Sequence, residues 1–239
     1  MNDEKPIALQ AYEALAERYS ALAETKAENG YIEHPAMRGQ LTDVAGLSVL
    51  DAGCGPGFLS SYLAAKGAKV TGFDISPRMI ELARERTAGA VRLFVADMAG
   101  EIPELGAAEF DVVASSLAID YVRDWTVPLG TFRRALKPGG TLVFSVQHPL
   151  GAYLWYKPES AFGVQYVKAV WRGFGGEPVT VPDYYRSFEE MVNPLVAAGF
   201  SVKKVLDAKP IPALKEKSPE LFARYSRTPT FMVIVAKKD

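Results

Sequence analysis

The chain has 239 residues, 49% of them hydrophobic and 23% charged, and its formal net charge is −1 at pH 7. This length and composition are typical of a single globular α/β domain. The balanced charge argues against a nucleic-acid or anionic-membrane partner, since both select basic surfaces. One cysteine cannot form an internal disulfide bond, and the sequence shows neither a signal-peptide pattern nor a bilayer-spanning apolar run. We therefore expect a cytoplasmic protein.

The first predicted element is a helix over residues 7–26, which the pair Asn29-Gly30 is predicted to end. Tyr12 and Tyr19 lie seven residues apart, close to two helical turns, so they should share one face of this helix. Two interpretations of these tyrosines are open at this point. Either they pack in the core, or they line a pocket.

A glycine-rich turn joins the first predicted strand to the next helix. The strand begins near Leu47 and ends at Asp51, glycines occupy positions 53, 55 and 57, and a helix is predicted over residues 58–66. Glycines let a backbone approach a ligand closely, and the N-terminus of a helix offers N–H groups that have no helical partner. The dinucleotide-binding fingerprint would need a glycine where this chain has Phe58. The turn therefore predicts a nucleotide-type cradle that lacks this fingerprint.

Strands alternate with helices through the residues that follow. A strand over residues 68–73 leads to Asp74, and Ser76 and Pro77 are predicted as the N-cap and the first residue of the next helix. Further strands are predicted over residues 91–96, 110–115 and 141–146. This alternation predicts a parallel, doubly wound sheet with its ligands at the carboxyl ends of the strands.

Five segments carry a resemblance to a known family. They are Val49-Leu50-Asp51-Ala52-Gly53-Cys54-Gly55-Pro56-Gly57, Gly72-Phe73-Asp74-Ile75-Ser76, Ala96-Asp97-Met98, Phe110-Asp111-Val112-Val113 and Leu136-Lys137-Pro138-Gly139-Gly140. In this order they resemble the motifs of class I S-adenosylmethionine-dependent methyltransferases, in particular the small-molecule enzymes of the ubiquinone and menaquinone type. The resemblance is close over residues 45–147. It implies a Rossmann-like, doubly wound, mostly parallel α/β sheet whose last strand is antiparallel.

The resemblance also implies S-adenosyl-L-methionine as the cofactor and assigns residues to it. Asp74 would accept hydrogen bonds from the ribose hydroxyls and Asp97 from the adenine amino group, whereas Ser115 and Leu117 would meet the methionine part. The alternative role of Asp74 is a second cap for the helix that follows, and that of Asp97 is a cap of the next turn. Arg38 would face the methionine carboxylate, and its alternative is a solvated surface arginine. The full set of implied cofactor-binding residues is Asp51, Gly53, Cys54, Gly55, Gly57, Asp74, Ile75, Asp97, Met98, Ser115, Leu117, Tyr19, Tyr31 and Arg38.

Two residues are candidates for catalysis. His148 follows the fifth predicted strand at the edge where methyl transfer would occur, and a histidine can act as a general base near neutral pH. A structural or substrate-orienting role is the alternative for His148. Tyr121 follows the fourth strand and is placed to reach the substrate, as are Asp120 and Trp125. The sequence shows no cluster with metal-ligand spacing, so no metal is expected.

Residues 149–188 differ in composition from the rest of the chain. We interpret this segment as a lid over an aromatic or apolar substrate pocket, and the alternative is the packed core of a small subdomain. Basic residues accompany the rings too sparsely for nucleic-acid stacking. The segment holds ten aromatic residues, Tyr153, Trp155, Tyr156, Phe162, Tyr166, Trp171, Phe174, Tyr184, Tyr185 and Phe188.

These elements are interpreted as one methyltransferase domain over residues 1–239. Its parts are an N-terminal helical lid (1–42), a cofactor-binding core (43–148), an aromatic-rich inserted cap (149–188) and a C-terminal helix with closing strands (189–239). A capping-box sequence at Ser187 opens the C-terminal helix, which ends at Gly199.

The predicted function is S-adenosylmethionine-dependent methyl transfer to an N, O or C atom of a small aromatic or apolar metabolite. Neither nucleic acid nor a membrane is an expected partner. A regulatory protein that binds the cofactor without turnover is the alternative from another class, and an NAD(P)-dependent reductase is disfavoured by the glycine spacing. A monomer and a homodimer are both open.

Overall fold

The structure is a computed structural model, and it describes residues 6–239. Residues 1–5, which belong to the predicted N-terminal lid, lie outside the described part. The strands in chain order are β1 (Ser48–Ala52), β2 (Lys69–Asp74), β3 (Arg92–Val95), β4 (Phe110–Ser116), β5 (Leu136–Gln147), β6 (Val164–Trp171), β7 (Val179–Arg186), β8 (Phe200–Asp207) and β9 (Phe231–Lys238). The α-helices are α1 (Leu9–Leu22), α2 (His34–Arg38), α3 (Phe58–Ala65), α4 (Pro77–Thr87), α5 (Thr126–Ala135), α6 (Pro149–Tyr156), α7 (Glu189–Ala197), α8 (Pro212–Lys217) and α9 (Pro219–Tyr225).

Seven strands form the main sheet, in the order β3-β2-β1-β4-β5-β9-β8, and β6 pairs with β7 in a separate hairpin. Neighbouring strands from β3 to β5 are parallel, whereas β9 runs antiparallel to both β5 and β8. The predicted Rossmann-like sheet with an antiparallel last strand is therefore confirmed. Because the first five strands are parallel, their carboxyl ends share one edge of the sheet, where open α/β sheets bind ligands.

The sheet is buried on both faces, which is why its strands read as apolar runs. Val49 and Leu50 are neighbours on β1, both are fully buried, and they belong to clusters on opposite faces. Leu63 of α3 packs on the Val49 face and Phe132 of α5 on the Leu50 face. Each such side chain contributes about 1.5–3 kcal/mol of stability. This packing fixes the positions of the strand ends that carry the site.

The N-terminal helix is shorter than predicted. It ends at Leu22, a 3₁₀ turn covers Ala23–Thr25, and a π-helix covers Asn29–Glu33. The prediction that Asn29-Gly30 stops the helix was wrong, because both residues lie inside this π-helix. A Cβ on Gly30 would lie 1.8 Å from the backbone oxygen of Glu24. Gly30 is therefore needed for a close approach of two turns and not for helix termination.

Two cap predictions have opposite outcomes. Ser76 is the N-cap of α4, as predicted, and its hydroxyl accepts a hydrogen bond of 3.0 Å from the Met79 N–H. The capping box at Ser187 was wrong, since α7 has no side-chain cap. The Ser187 hydroxyl instead accepts from the N–H of Gly163, at 3.3 Å.

The aromatic-rich insertion folds as α6 followed by the β6–β7 hairpin. Its residues divide between buried and exposed positions: Phe174 and Tyr185 are buried, whereas Phe162 is 77% exposed. Phe174 packs in a cluster that includes Leu15 of α1, so this insertion contacts the N-terminal helix. No helix within residues 6–239 combines the length and apolarity needed to cross a bilayer.

Candidate active site

A cavity of about 410 Å³ lies beyond the carboxyl ends of β1 to β4. We call it the first cavity. Of the residues assigned to the cofactor from the sequence, it brings together Tyr19, Arg38, Asp51, Gly53, Cys54, Gly55, Asp74, Ile75, Asp97, Met98 and Leu117.

The three glycines of the loop after β1 have positive φ but different surroundings. A Cβ on Gly53 (φ +75°) would lie 2.3 Å from the Cβ of Ala118, so this glycine lets the loop pack against residue 118. A Cβ on Gly55 (φ +52°) would meet no heavy atom within 4 Å. Gly55 thus leaves open space on the cavity wall. Gly57 (φ +84°) does not line the cavity. A Cβ on it would lie 3.1 Å from the Cα and Cβ of Ala83 on α4, so its predicted cofactor contact is corrected to a packing role.

Asp74 ties the glycine loop to the start of α4. Its Oδ2 accepts a hydrogen bond of 2.8 Å from the Gly55 N–H, and its Oδ1 accepts one of 2.9 Å from the Ser76 N–H. Burial raises the pKa of this carboxyl, and the backbone N–H groups oppose the rise. Asp74 therefore holds the loop in place and also faces the cavity, so the two roles considered from the sequence are compatible.

Asp97 and Met98 follow β3 and line the same cavity. The Asp97 Oδ1 accepts a hydrogen bond of 2.8 Å from the Ala99 N–H, which is the capping role considered as an alternative. Met98 is buried, and its Cε would lie 3.1 Å from a Cβ on Gly53. Met98 thus closes the cavity behind the loop.

Asp51 is a buried carboxylate at the end of β1. The Ser60 hydroxyl donates to its Oδ2 at 2.6 Å, whereas its Oδ1 is buried without a hydrogen-bond partner in the described structure. Burial raises the pKa of Asp51 to about 7. An orphaned carboxylate oxygen in a cavity wall is a ready acceptor for a donor group of a ligand.

Two residues assigned to the cofactor lie elsewhere. Ser115 is fully buried away from the cavity, and its neighbour Ser116 lines the cavity instead, because successive side chains of a strand point to opposite faces. Tyr31 lines neither this cavity nor the second one described below, and its ring packs against the ammonium of Lys217 at 4.9 Å. Arg38 lines the first cavity and pairs with Glu24 at 2.7 Å.

His148 does not reach either cavity, which corrects its assignment as a general base. It is the N-cap of α6, where its Nδ1 accepts a hydrogen bond of 3.1 Å from the Leu150 N–H. Its Nε2 lies 3.4 Å from Oδ1 of Asp207 on β8. The structural role considered as the alternative for His148 is the one that the geometry supports.

Replacing His148 by alanine should lower the free energy of unfolding by about 1 kcal/mol, because the α6 cap is lost. The affinity for the cofactor should not change. Urea unfolding and calorimetric titration check the two expectations. A variant of unchanged stability that loses methyl-transfer activity would restore His148 as a catalytic candidate.

A second cavity of about 590 Å³ adjoins the first. The inserted cap contributes Leu154, Trp155, Tyr156, Val170, Trp171 and Phe174 to its walls. Four residues line both cavities: Tyr12, Tyr19, Leu117 and Tyr121. The hydroxyl oxygens of Tyr12 and Tyr121 lie 2.7 Å apart, and burial raises the pKa of both. Tyr121 therefore stays protonated near neutral pH and is a poor base. Its side chain forms part of the wall between the two cavities.

A pair of buried carboxyls lies at one side of the second cavity. Asp120 accepts a hydrogen bond of 2.9 Å from the Gln147 N–H, and Asp183 accepts one of 3.0 Å from the Tyr156 hydroxyl. Burial raises the pKa of both, and the charge of Asp183 adds to the rise at Asp120, against the opposing Arg186 guanidinium. These two carboxyls are buried polar groups in the wall of the second cavity.

Two buried carboxylates of the site, those of Asp183 and Glu33, were not predicted from the sequence. Asp183 was hidden in an aromatic-rich segment, where an isolated acid among apolar residues is the signal that points to a buried polar contact. Glu33 lines the first cavity and is fully buried. Among residues 6–239 no cluster of potential metal ligands is present.

The chain is similar to known methyltransferases in sequence and structure. A family model described as a methyltransferase domain matches residues 50–144. A structure of a putative S-adenosylmethionine-dependent methyltransferase from Listeria monocytogenes is 29% identical, with a TM-score of 0.72, over 87% of this chain and 96% of that one. A structure of an S-adenosylmethionine-dependent methyltransferase from Mesorhizobium loti is also 29% identical, with a TM-score of 0.68, over 86% of this chain and 97% of that one.

A curated relative is the malonyl-[acyl-carrier protein] O-methyltransferase of Pseudescherichia vulneris, which is 35% identical over 136 residues. The match covers 54% of this chain and 53% of the relative, so the chain spans about half the length of that protein.

The sheet order with its antiparallel last strand, together with the open glycine loop, defines a Rossmann-like methyltransferase. The chain contains a methyltransferase domain with the fold of the class I S-adenosylmethionine-dependent methyltransferases, and its cofactor is S-adenosylmethionine. The first cavity fits such a molecule, because Gly55 leaves room on the wall and Asp51 presents an unpaired acceptor. Asp74 and Asp97, which the resemblance assigns to its adenosine part, both line this cavity.

Proposed function

We propose that this enzyme methylates an N, O or C atom of a small aromatic or apolar molecule that binds in the second cavity. The observation that carries the proposal is the shared wall of the two cavities, formed by Tyr12, Tyr19, Leu117 and Tyr121. A cofactor in the first cavity and an acceptor in the second would meet at this wall. The aromatic lining contributed by the cap suits an apolar acceptor.

S-adenosylmethionine supplies a methyl group that is already activated by its sulfonium sulfur. The protein's task is then to align the acceptor and to exclude water. Orientation of two reactants can contribute about 7–11 kcal/mol in favourable cases. The inserted cap serves both purposes, because its aromatic side chains line the second cavity.

The acid pair gives the second cavity its polar anchor. We assign Asp120 and Asp183 to binding a hydroxyl or amine of the acceptor, since a buried carboxylate accepts hydrogen bonds from either group. An acceptor hydroxyl must give up its proton on methylation, and a carboxylate of this pair, which lines the second cavity, is the group placed to receive it. A neutral amine attacks first and releases its proton afterwards. Neither route needs a histidine.

The rival interpretations make different predictions for one experiment. The protein is incubated with methyl-labelled S-adenosylmethionine and a panel of small aromatic phenols and amines. If the enzyme methylates such a molecule, the label is transferred to a member of the panel. A regulatory protein that only binds the cofactor would transfer no label. A reductase would instead bind NAD(P)H in competition with the cofactor product.

Substitutions in the inserted cap can show where the acceptor binds. Trp155 lines the second cavity and is 58% exposed, so its replacement by alanine removes acceptor contacts without opening the core. We expect KM for the acceptor to rise about tenfold, the effect of losing part of an aromatic contact. The dissociation constant of the cofactor product should stay unchanged.

The matched control for Trp155 is Phe162→Ala. Phe162 belongs to the same cap and is exposed, but it lines neither cavity. Its replacement should leave both constants unchanged. Equal effects of the two substitutions on KM would remove the second cavity as the acceptor site.

A further inference from the structure

Glu33 is a charged side chain with no exposed surface, and it lies in the wall of the first cavity. The π-helix Asn29–Glu33 delivers it there. Its Oε1 accepts hydrogen bonds from the hydroxyls of Ser116 on β4, at 2.8 Å, and of Ser145 on β5. The carboxylate is therefore fixed to the sheet by two strands.

The second oxygen of this carboxylate has no partner. Oε2 is buried and accepts no hydrogen bond from any described residue. The nearest basic atom is Nε2 of His34, at 3.8 Å. Burial and the charge of Arg38 lower the pKa of His34 to about 4, so this imidazole is neutral near pH 7 and does not balance the carboxylate.

Arg38 does not complete the pair either, because its guanidinium donates to Glu24 at 2.7 Å. Burial raises the pKa of Glu33, whereas the serine hydroxyls and Arg38 oppose the rise. A buried carboxylate that is unpaired on one side is costly, and a cationic ligand group would remove that cost. The arrangement thus calls for a positive group from a ligand.

The position of Glu33 along the sheet identifies which end of the cofactor it faces. Asp74 ends β2, Asp97 follows β3, and these are the two carboxylates that the methyltransferase resemblance assigns to the adenosine part of the cofactor. Glu33 is bonded to β4 and β5, which lie on the other side of β1 in the sheet. The amino-acid part of the cofactor, opposite its adenosine, belongs at this end.

We propose that Glu33 binds the α-ammonium group of the cofactor's methionine part. Asp51, which also presents an unpaired oxygen to this cavity, is the second carboxylate near that group. Arg38 on the cavity wall is placed for the α-carboxylate. The proposal rests on the identity of the cofactor and on no assumption about the methyl acceptor.

Calorimetric titration with three ligands tests this assignment. They are S-adenosylhomocysteine, its analogue with hydrogen in place of the amino group, and 5′-methylthioadenosine, which lacks the amino acid. Replacing Glu33 by glutamine should weaken binding of S-adenosylhomocysteine roughly tenfold or more, the loss expected for a charge-assisted hydrogen bond. Binding of the other two ligands should change by less than about twofold, since neither carries the ammonium.

The matched control is Glu28→Gln, because Glu28 lies on the same segment but lines only the second cavity. It should leave all three affinities unchanged. Equal losses for all three ligands in E33Q would show that Glu33 only supports the fold, and an unchanged affinity for S-adenosylhomocysteine would also overturn the proposal.

Two further measurements keep the test decisive if E33Q does not fold. The unmodified protein should bind the deaminated analogue roughly tenfold more weakly than S-adenosylhomocysteine, and equal affinities would overturn the proposal. Glu33→Asp keeps the charge, so it should retain a preference for the ammonium-bearing ligand. Because no acceptor is present, these results are independent of whether methyl transfer to an aromatic molecule is found.

Discussion

Replacing Asp74 by asparagine should weaken binding of S-adenosylhomocysteine by about 2–3 kcal/mol, roughly a hundredfold in dissociation constant. Two changes contribute to the weaker binding in this variant. The carboxylate to which we assign the ribose hydroxyls is lost, and one of its two oxygens becomes an amide nitrogen. In the protein both oxygens accept from backbone N–H groups, those of Gly55 and Ser76. An amide nitrogen facing either N–H would push the glycine loop out of position.

The control for this effect is Asp111→Asn, the same chemical change at the opposite end of the sheet. Asp111 is the second residue of β4, accepts from the Ser48 N–H at 2.9 Å and pairs with Lys137 at 2.8 Å. This variant should lose some stability and keep its affinity for S-adenosylhomocysteine. Calorimetry on both variants decides the matter. A D74N protein that still binds the ligand with full affinity would remove Asp74 from the cofactor site.

The central part of the fold follows from local sequence signals. Apolar runs, glycines and Ser76-Pro77 predict β1, β2 and α4 because burial, turn geometry and helix capping each act over a few residues. The likeness to methyltransferase motifs then predicts the antiparallel last strand, which no local pattern contains. The fold was thus predictable from these signals together.

The site was predictable only where the loop sequence dictates it. Ser115 and Ser116 illustrate the limit: β4 is buried on both faces, so its sequence has no polar alternation that would reveal which serine faces the cavity. Glu33 illustrates another, since a π-helix shifts the side chains away from the positions expected for an α-helix.

The N-cap role of His148 could have been predicted from the sequence. Pro149 follows His148, and proline is favoured at the first position of a helix, as at Ser76-Pro77. The same rule predicts an N-cap at residue 148, and the structure shows one. The N-cap at His148 is therefore indicated by the residue next to it in the sequence. Two side-chain partners of Asp183, Gln147 and Tyr156, come from other elements and carry no such signal.

Two glycines of the loop after β1 should respond differently to the same substitution. Gly53→Ala places a Cβ 2.3 Å from the Cβ of Ala118, so it should lower the free energy of unfolding by about 2–4 kcal/mol through overpacking and backbone strain. Gly55→Ala meets no protein atom within 4 Å and should lower it by about 1 kcal/mol, the cost of a left-handed alanine. Its methyl group instead enters the space where the cofactor binds, so the affinity for S-adenosylhomocysteine should fall at least tenfold, by about 1.4 kcal/mol or more.

Gly139→Ala is the control that distinguishes backbone strain from the loss of space for the ligand. Gly139 also has a positive φ (+70°), and a Cβ on it would meet no heavy atom within 4 Å, but it lines neither cavity. It should match Gly55→Ala in urea unfolding and leave binding of S-adenosylhomocysteine unchanged. If Gly55→Ala binds the ligand as tightly as Gly139→Ala does, the cofactor does not approach the backbone at residue 55. The opening at Gly55 would then have to be explained by the turn alone, and the carboxylates of Asp74 and Glu33 would have to hold the cofactor without the close approach that the loop provides.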